Sequence, residues 1–218
     1  MKTIIAINAA LLIGVLMLVI FHFNNEHPTV ALGETTNGAN PVESEENINI
    51  SVDPISLEQK RIAQKESVYK RPPEIITSAG KINASDDLQL SDLIGEKVLL
   101  IKFWTFGCVN CQATFPHVNR WYDEYKDDGL EIVSFHTPEF AYEHKLSNVR
   151  SAVEKWEIEF PVLLDNEYEN FNAYNNHYWP HMYLIDKDGF IVYDHIGQGD
   201  YGETEEKIKE LLTELNEE

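Results

Sequence analysis

Cys108 and Cys111 are the only two cysteines in the 218-residue chain, and they are separated by two residues. They stand where a β-rich apolar run, Val98 to Phe103, gives way to a helical spacing. In that spacing Phe115, Val118, Tyr122 and Tyr125 share one face. Two thiols at a strand-to-helix junction can close one small ring. The first lies at the helix N-terminus, where unpaired N–H groups and the helix dipole favour its thiolate. The second lies one turn in and deeper. This is the geometry of reversible thiol–disulfide exchange, with Cys108 attacking and Cys111 resolving.

Other uses of the pair fit less well. Covalent haem attachment needs a histidine after the second cysteine, and position 112 is Gln. A zinc site needs two further ligands, and His117 stands at an unusual spacing. A purely structural bridge would close so short a loop that it restrains the unfolded chain little. A copper-holding, chaperone-like module using Cys108, Cys111 and a histidine remains an alternative. Two cysteines exclude a disulfide framework and a four-cysteine zinc site.

Composition narrows the class. With 37 acidic and 17 basic side chains the net charge is −20, which argues against nucleic acid and against charge-driven docking on anionic lipid. A 43% apolar, 11% aromatic chain can bury a core.

The chain divides into three parts. Residues 1–23 contain the apolar run Ile4 to Phe23, long enough to span roughly 30 Å as a helix. It is read as an uncleaved transmembrane anchor, with a cleaved signal peptide as the alternative. Lys2 precedes the run and no Lys or Arg follows it before Lys60. The positive-inside rule therefore puts the rest of the chain outside a cell membrane, as a single-pass protein. Residues 24–71 form an acidic flexible linker, rich in acids and turn residues, with a short helix over 55–70. Residues 72–218 are the folded domain.

Within the domain, strands are expected at 98–103, 131–135, 160–164, 181–185 and 190–193. Helices are expected at 111–126, 141–156 and 204–215. Asp186-Lys187-Asp188-Gly189 reads as the turn of a hairpin. The order implies an α/β domain, with parallel first crossovers and an antiparallel hairpin.

The run Phe103 to Cys111 followed by Pro116, with Phe160 to Asp165 and Tyr178 to Asp186, resembles the exported TlpA/ResA-type thioredoxin-like proteins. The likeness is strongest to the extracytoplasmic thioredoxin domain of the DipZ type, and it covers about residues 72–215. It implies a thioredoxin-like fold, a mixed central sheet flanked by helices, and a membrane-tethered protein disulfide oxidoreductase on the reducing side. Such an enzyme needs no cofactor. Its partners would be disulfide-containing proteins and a membrane thiol electron donor.

The resemblance also implies roles for single residues. Pro180 matches the cis-proline facing the disulfide, and the backbone of Trp179 before it would offer an edge to an extended substrate. Trp104 and Trp179 would form an apolar docking floor around Cys108. Glu139 matches an acidic residue near the site; partly buried, it would relay the proton of Cys111. Lys102 departs from the pattern, standing where thioredoxins bury an Asp two residues before the Trp. An amine there either shifts its pKa and favours the thiolate or reaches out to solvent. Val109 and Asn110 between the cysteines lack the histidine that helps make strong oxidants, which favours a reductant. None of the scattered histidines is assigned to a metal.

Overall fold

Seven consecutive buried residues, Val98–Trp104, form strand β2. A strand buried along its whole length, and apolar but for Lys102, suits the centre of a sheet covered on both faces. The structure, a computed structural model, describes residues 54–76 and 79–217. The expected anchor at 1–23 and the linker as far as residue 53 lie outside the described residues. Among the described residues no helix is long and apolar enough to cross a membrane.

The elements follow in the order α1 (Pro54–Val68), β1 (Lys81–Ile82), β2, α2 (Val109–Tyr125), β3 (Leu130–His136), α3 (Leu146–Lys155), β4 (Val162–Leu164), α4 (Glu169–Ala173), β5 (His181–Ile185), β6 (Ile191–Ile196) and α5 (Tyr201–Asn216). The sheet order is β1-β4-β3-β2-β5-β6. Strands β2, β3 and β4 are parallel, whereas β5 and β6 form an antiparallel hairpin joined to β2. The thioredoxin-like α/β fold read from the motifs is the fold observed.

Alternation along β2 sorts its side chains between two cores. Val98, Leu100 and Trp104 meet Phe115, Val118 and Trp121 of α2, Val149 of α3 and Ile208 of α5. Leu99, Ile101 and Phe103 face the other way, toward Phe171, Tyr174 and Tyr183. Each such side chain contributes roughly 1.5–3 kcal/mol by leaving water. Lys102 has the register of the first group and is wholly buried, so its outward-reaching alternative is not the one taken.

One stretch departs from the expected elements. The helix expected over 141–156 is split: a 3-10 turn at Ala141–His144 is followed by Lys145 in an extended conformation, and α3 starts only at Leu146. The Glu143 side chain turns inward and accepts N–H groups from Glu139 and Phe140, which closes the short turn on itself. The short helix expected over 55–70, at the end of the segment read as a linker, is helix α1, Pro54–Val68. Lys65 pairs with Asp186 at 2.8 Å and Asp188 at 2.5 Å, and Arg61 with Asp188. Lys70 then bridges Ile191 on β6. Acidic composition suggested a spacer, but its few bases are spent on the β5–β6 turn.

Candidate active site

The C-terminal end of β2 delivers the chain into a tight loop and α2. Cys108 is the N-cap of α2, in extended conformation, and its Sγ accepts the N–H of Cys111 at 3.4 Å. The loop is closed by Cys108 N–H to Thr105 O and by Gln112 Nε2 to Phe106 O. Cys108 is half-buried and Cys111 fully buried, both as free thiols.

This asymmetry divides their chemistry. A hydrogen bond from the Cys111 thiol, together with the backbone N–H groups of Cys111 and Asn110, brings the Cys108 thiol down to about 6, although burial and the charge of Glu139 oppose the shift. Burial pushes Cys111 well above the ordinary thiol range, and donating to Cys108 adds to that, against the pull of Lys102. Near neutral pH the Cys108 sulfur is therefore mostly thiolate, while Cys111 keeps its proton. Burial likewise lowers Lys102 to about 8, with the two cysteine charges acting in the opposite sense.

Opposite Cys108 lies the loop before β5. The Trp179–Pro180 peptide is cis, and the Cys108 thiol points at Trp179 O, 3.8 Å away. The cis-proline implied by the resemblance is present, and the backbone of Trp179 faces Cys108. The Trp179 ring itself is half-buried and stacks on Phe171, with centroids 4.8 Å apart.

Residues 74–194 match the AhpC/TSA family. The chain belongs to that family. It is similar to Protein DipZ of Mycobacterium tuberculosis, 40% identical over 144 residues, which is 65% of this chain and 21% of that protein. It thus spans about a fifth of DipZ. It is also similar to the thiol-disulfide oxidoreductase YkuV of Bacillus subtilis, 28% identical across 65% of this chain and 94% of YkuV. The thiol-disulfide oxidoreductase ResA of Bacillus cereus is 30% identical across 59% of this chain and 68% of its own length. Among solved structures, a thioredoxin-like protein in the oxidized form superposes with a TM-score of 0.61 at 27% identity, covering 67% of this chain and 97% of that one. The TlpA/ResA-type resemblance is borne out by these relatives.

Two residues assigned to this AhpC/TSA site do not occupy the places expected of them. Trp104 is completely buried, so it cannot be part of a docking floor. Its Nε1 donates to Ser134 Oγ at 3.2 Å, and its ring meets Phe115 and His136 edge-on. A tryptophan at the end of a strand buried on both faces has no solvent side. Glu139 is exposed, because only its backbone N–H is drawn in, 2.6 Å from Glu143 Oε2. Its charge reaches Cys108, but it lacks the burial that a proton relay was expected to use.

The buried carboxylate is Glu143, which sequence reading missed. Its Oε1 accepts Gly107 N–H at 2.8 Å and its Oε2 accepts Phe140 N–H at 2.8 Å, so it ties the redox loop to the 139–140 turn. A Cβ at Gly107 would collide with that carboxylate. The signal was present as a glutamate three residues after the turn starts, a capping spacing. His136 was also missed as a site residue: it is buried, stacks on Phe106, and takes the Phe106 N–H on Nε2 at 3.3 Å. Burial holds it down to about 4, so it is neutral near pH 7. The accessible apolar rim is made instead by Val109, Phe140 and Tyr142, all exposed.

Proposed function

We propose that this chain is an extracytoplasmic, membrane-tethered thiol–disulfide oxidoreductase that reduces disulfides in client proteins. The observation that carries the reading is the pairing of a half-exposed, thiolate-favouring Cys108 with a buried Cys111 that bonds to it. The Cys108 thiolate attacks one sulfur of a client disulfide, and the other client sulfur leaves as a thiolate that takes a proton. The mixed disulfide lies beside the Trp179 carbonyl. Cys111, deprotonated, attacks Cys108 sulfur, which forms the enzyme disulfide and releases the second client thiol. Two electrons pass to the client, and a membrane thiol donor returns them. The apolar run Ile4 to Phe23, with Lys2 before it, supports tethering with the domain outside. The names of YkuV and ResA support the reaction, and the Val109–Asn110 dipeptide supports the reducing direction.

The copper-holding alternative needs a third ligand beside the two thiols. Among the described residues, no group of three His, Cys, Asp or Glu side chains comes together to hold a metal.

The test is insulin reduction by the full chain, followed by titration in glutathione and dithiothreitol buffers. Activity that Cys108→Ser abolishes, with a potential near thioredoxin's value of about −270 mV, supports the reading. A potential near about −120 mV makes the protein an oxidant. Full activity in Cys108→Ser, or no exchange at all, overturns the reading. Protease accessibility of the chain on intact cells and its extraction from membranes test the tether and the side.

A further inference from the structure

Lys102 is an ammonium-bearing side chain with no exposed surface. Its Nζ donates to Thr114 Oγ1 at 2.5 Å and stands 5.0 Å from the centre of the Phe115 ring. Thr114 in turn donates to Cys111 O at 2.7 Å, so the amine is tied to the turn of α2 that carries the resolving thiol. Among the described residues Lys102 forms no ion pair with a carboxylate. The flanking strands offer none: its cross-strand neighbours are Ser134 on β3 and Met182 on β5. One strand further, His195 lies across from Met182, with Nδ1 4.0 Å from Asp200. From α2 the facing groups are Thr114, Phe115 and the two cysteines, and α5 presents Ile208, Leu211 and Leu212 to this core. The charges that act on Lys102 are those of Cys111 and, after it, Cys108.

A buried cation without a counter-charge is costly, and ordinarily it is neutralised by losing its proton. The countercharge here exists only in some states of the reaction. A disulfide carries none, and neither does a mixed disulfide with a protonated Cys111. A thiolate does.

We propose that Lys102 takes the proton of Cys111 when the mixed disulfide is resolved, and holds it only while a thiolate stands beside it. The step rests on the exchange reading above. The neutral amine and the Cys111 thiol become an ammonium and a thiolate. The thiolate attacks Cys108 sulfur, the Cys108–Cys111 bond forms, and the client sulfur leaves with the electron pair. With the thiolate consumed, the ammonium gives its proton up to solvent or to the departing thiolate. A charge of the opposite sign to the usual carboxylate thus serves the buried cysteine, and reduction of the pair becomes coupled to protonation of a lysine. Lys102 is a positioning and proton-holding residue and does not itself touch the client.

The test is the reduction potential of the full chain against pH, compared with Lys102→Met. Between about pH 6, where Cys108 ionises, and about pH 8, where the Lys102 ammonium is lost, reduction of the natural protein takes up two protons, one at Cys111 and one at Lys102. The variant takes up one. The potential should fall with pH twice as steeply in the natural protein. His136, titrating near 4, lies outside the window. Replacing a buried charge by an apolar chain of similar volume should leave thermal stability unchanged or higher, so a lowered slope would not reflect unfolding. Equal slopes overturn the proposal. If Lys102→Met does not fold, the 13Cε resonance of Lys102 in the natural protein decides. Its titration midpoint should be higher in the dithiol than in the disulfide form, and equal midpoints overturn the proposal. A pair that never equilibrates with glutathione removes the exchange reading first and this step with it.

Discussion

Two lysines show how differently this molecule treats the same side chain. Lys65, on α1, reaches across to the β5–β6 turn and finds two carboxylates, Asp186 and Asp188. Partial burial works against its charge, but the hydrogen bonds it donates to those acids more than offset it, and its pKa is raised. Lys102, on β2, finds a hydroxyl and an aromatic ring, and burial lowers it to about 8. The first arrangement fastens an element to the sheet. The second leaves an amine with no carboxylate partner, tied through Thr114 to the turn that carries Cys111. Two things separate them: Lys102 is far more deeply buried, and only Lys65 has carboxylates beside it.

Four substitutions probe the site and the clamp in turn. The largest effect belongs to Cys111→Ser. Turnover of client disulfides should be lost and a mixed disulfide through Cys108 should accumulate, visible as a covalent adduct on non-reducing gels. Rapid turnover without an adduct would mean that the buried thiol is not the resolving group.

Next is Glu143→Ala. It strips acceptors from the N–H groups of Gly107, Glu139 and Phe140. Stability should fall by about 3 kcal/mol, measured by denaturant unfolding. A loss below about 1 kcal/mol would mean that water replaces the carboxylate.

A smaller change is expected at the α1 clamp. Hydrogen bonds from Arg61 and then Lys65 hold Asp188 down to about 2, below its ordinary value of 3.8. A depressed carboxyl stabilises the fold above its unfolded pKa, and that contribution fades as pH falls from about 3.8 toward about 2. Asp188→Asn should flatten the acid dependence of unfolding in this window, with an effect under about 1 kcal/mol because the pair is partly solvated. An unchanged acid limb would show that the clamp adds nothing.

The smallest effect is at Glu139. Its charge opposes ionisation of Cys108, so Glu139→Gln should move the midpoint of Cys108 alkylation slightly below about 6. A midpoint that rises would restore a proton-relay role for this residue.

The order of strands along the chain and the closeness of the two cysteines were legible because period and spacing are local. The split at Lys145 was not, since Glu143 also turns inward to the N–H of Gly107, 36 residues away in sequence. Glu139 and Glu143 lie one helical turn apart and look alike in sequence; the backbone donors of Gly107 choose between them. The position of Lys102 was evident, but its direction was not, because a lysine near a strand end can extend to water or be sealed by a helix. Here α2 seals it. Helix α1 was visible as a weak periodicity, yet its ion pairs with a turn more than a hundred residues away could not be read from composition.

Glu143 joins the loop before α2 to the 139–140 turn through one carboxylate. Displacing either segment means pulling N–H groups from the same two oxygens. The loop that holds Cys108 therefore cannot shift without carrying that turn, and the exposed rings of Phe140 and Tyr142, along with it.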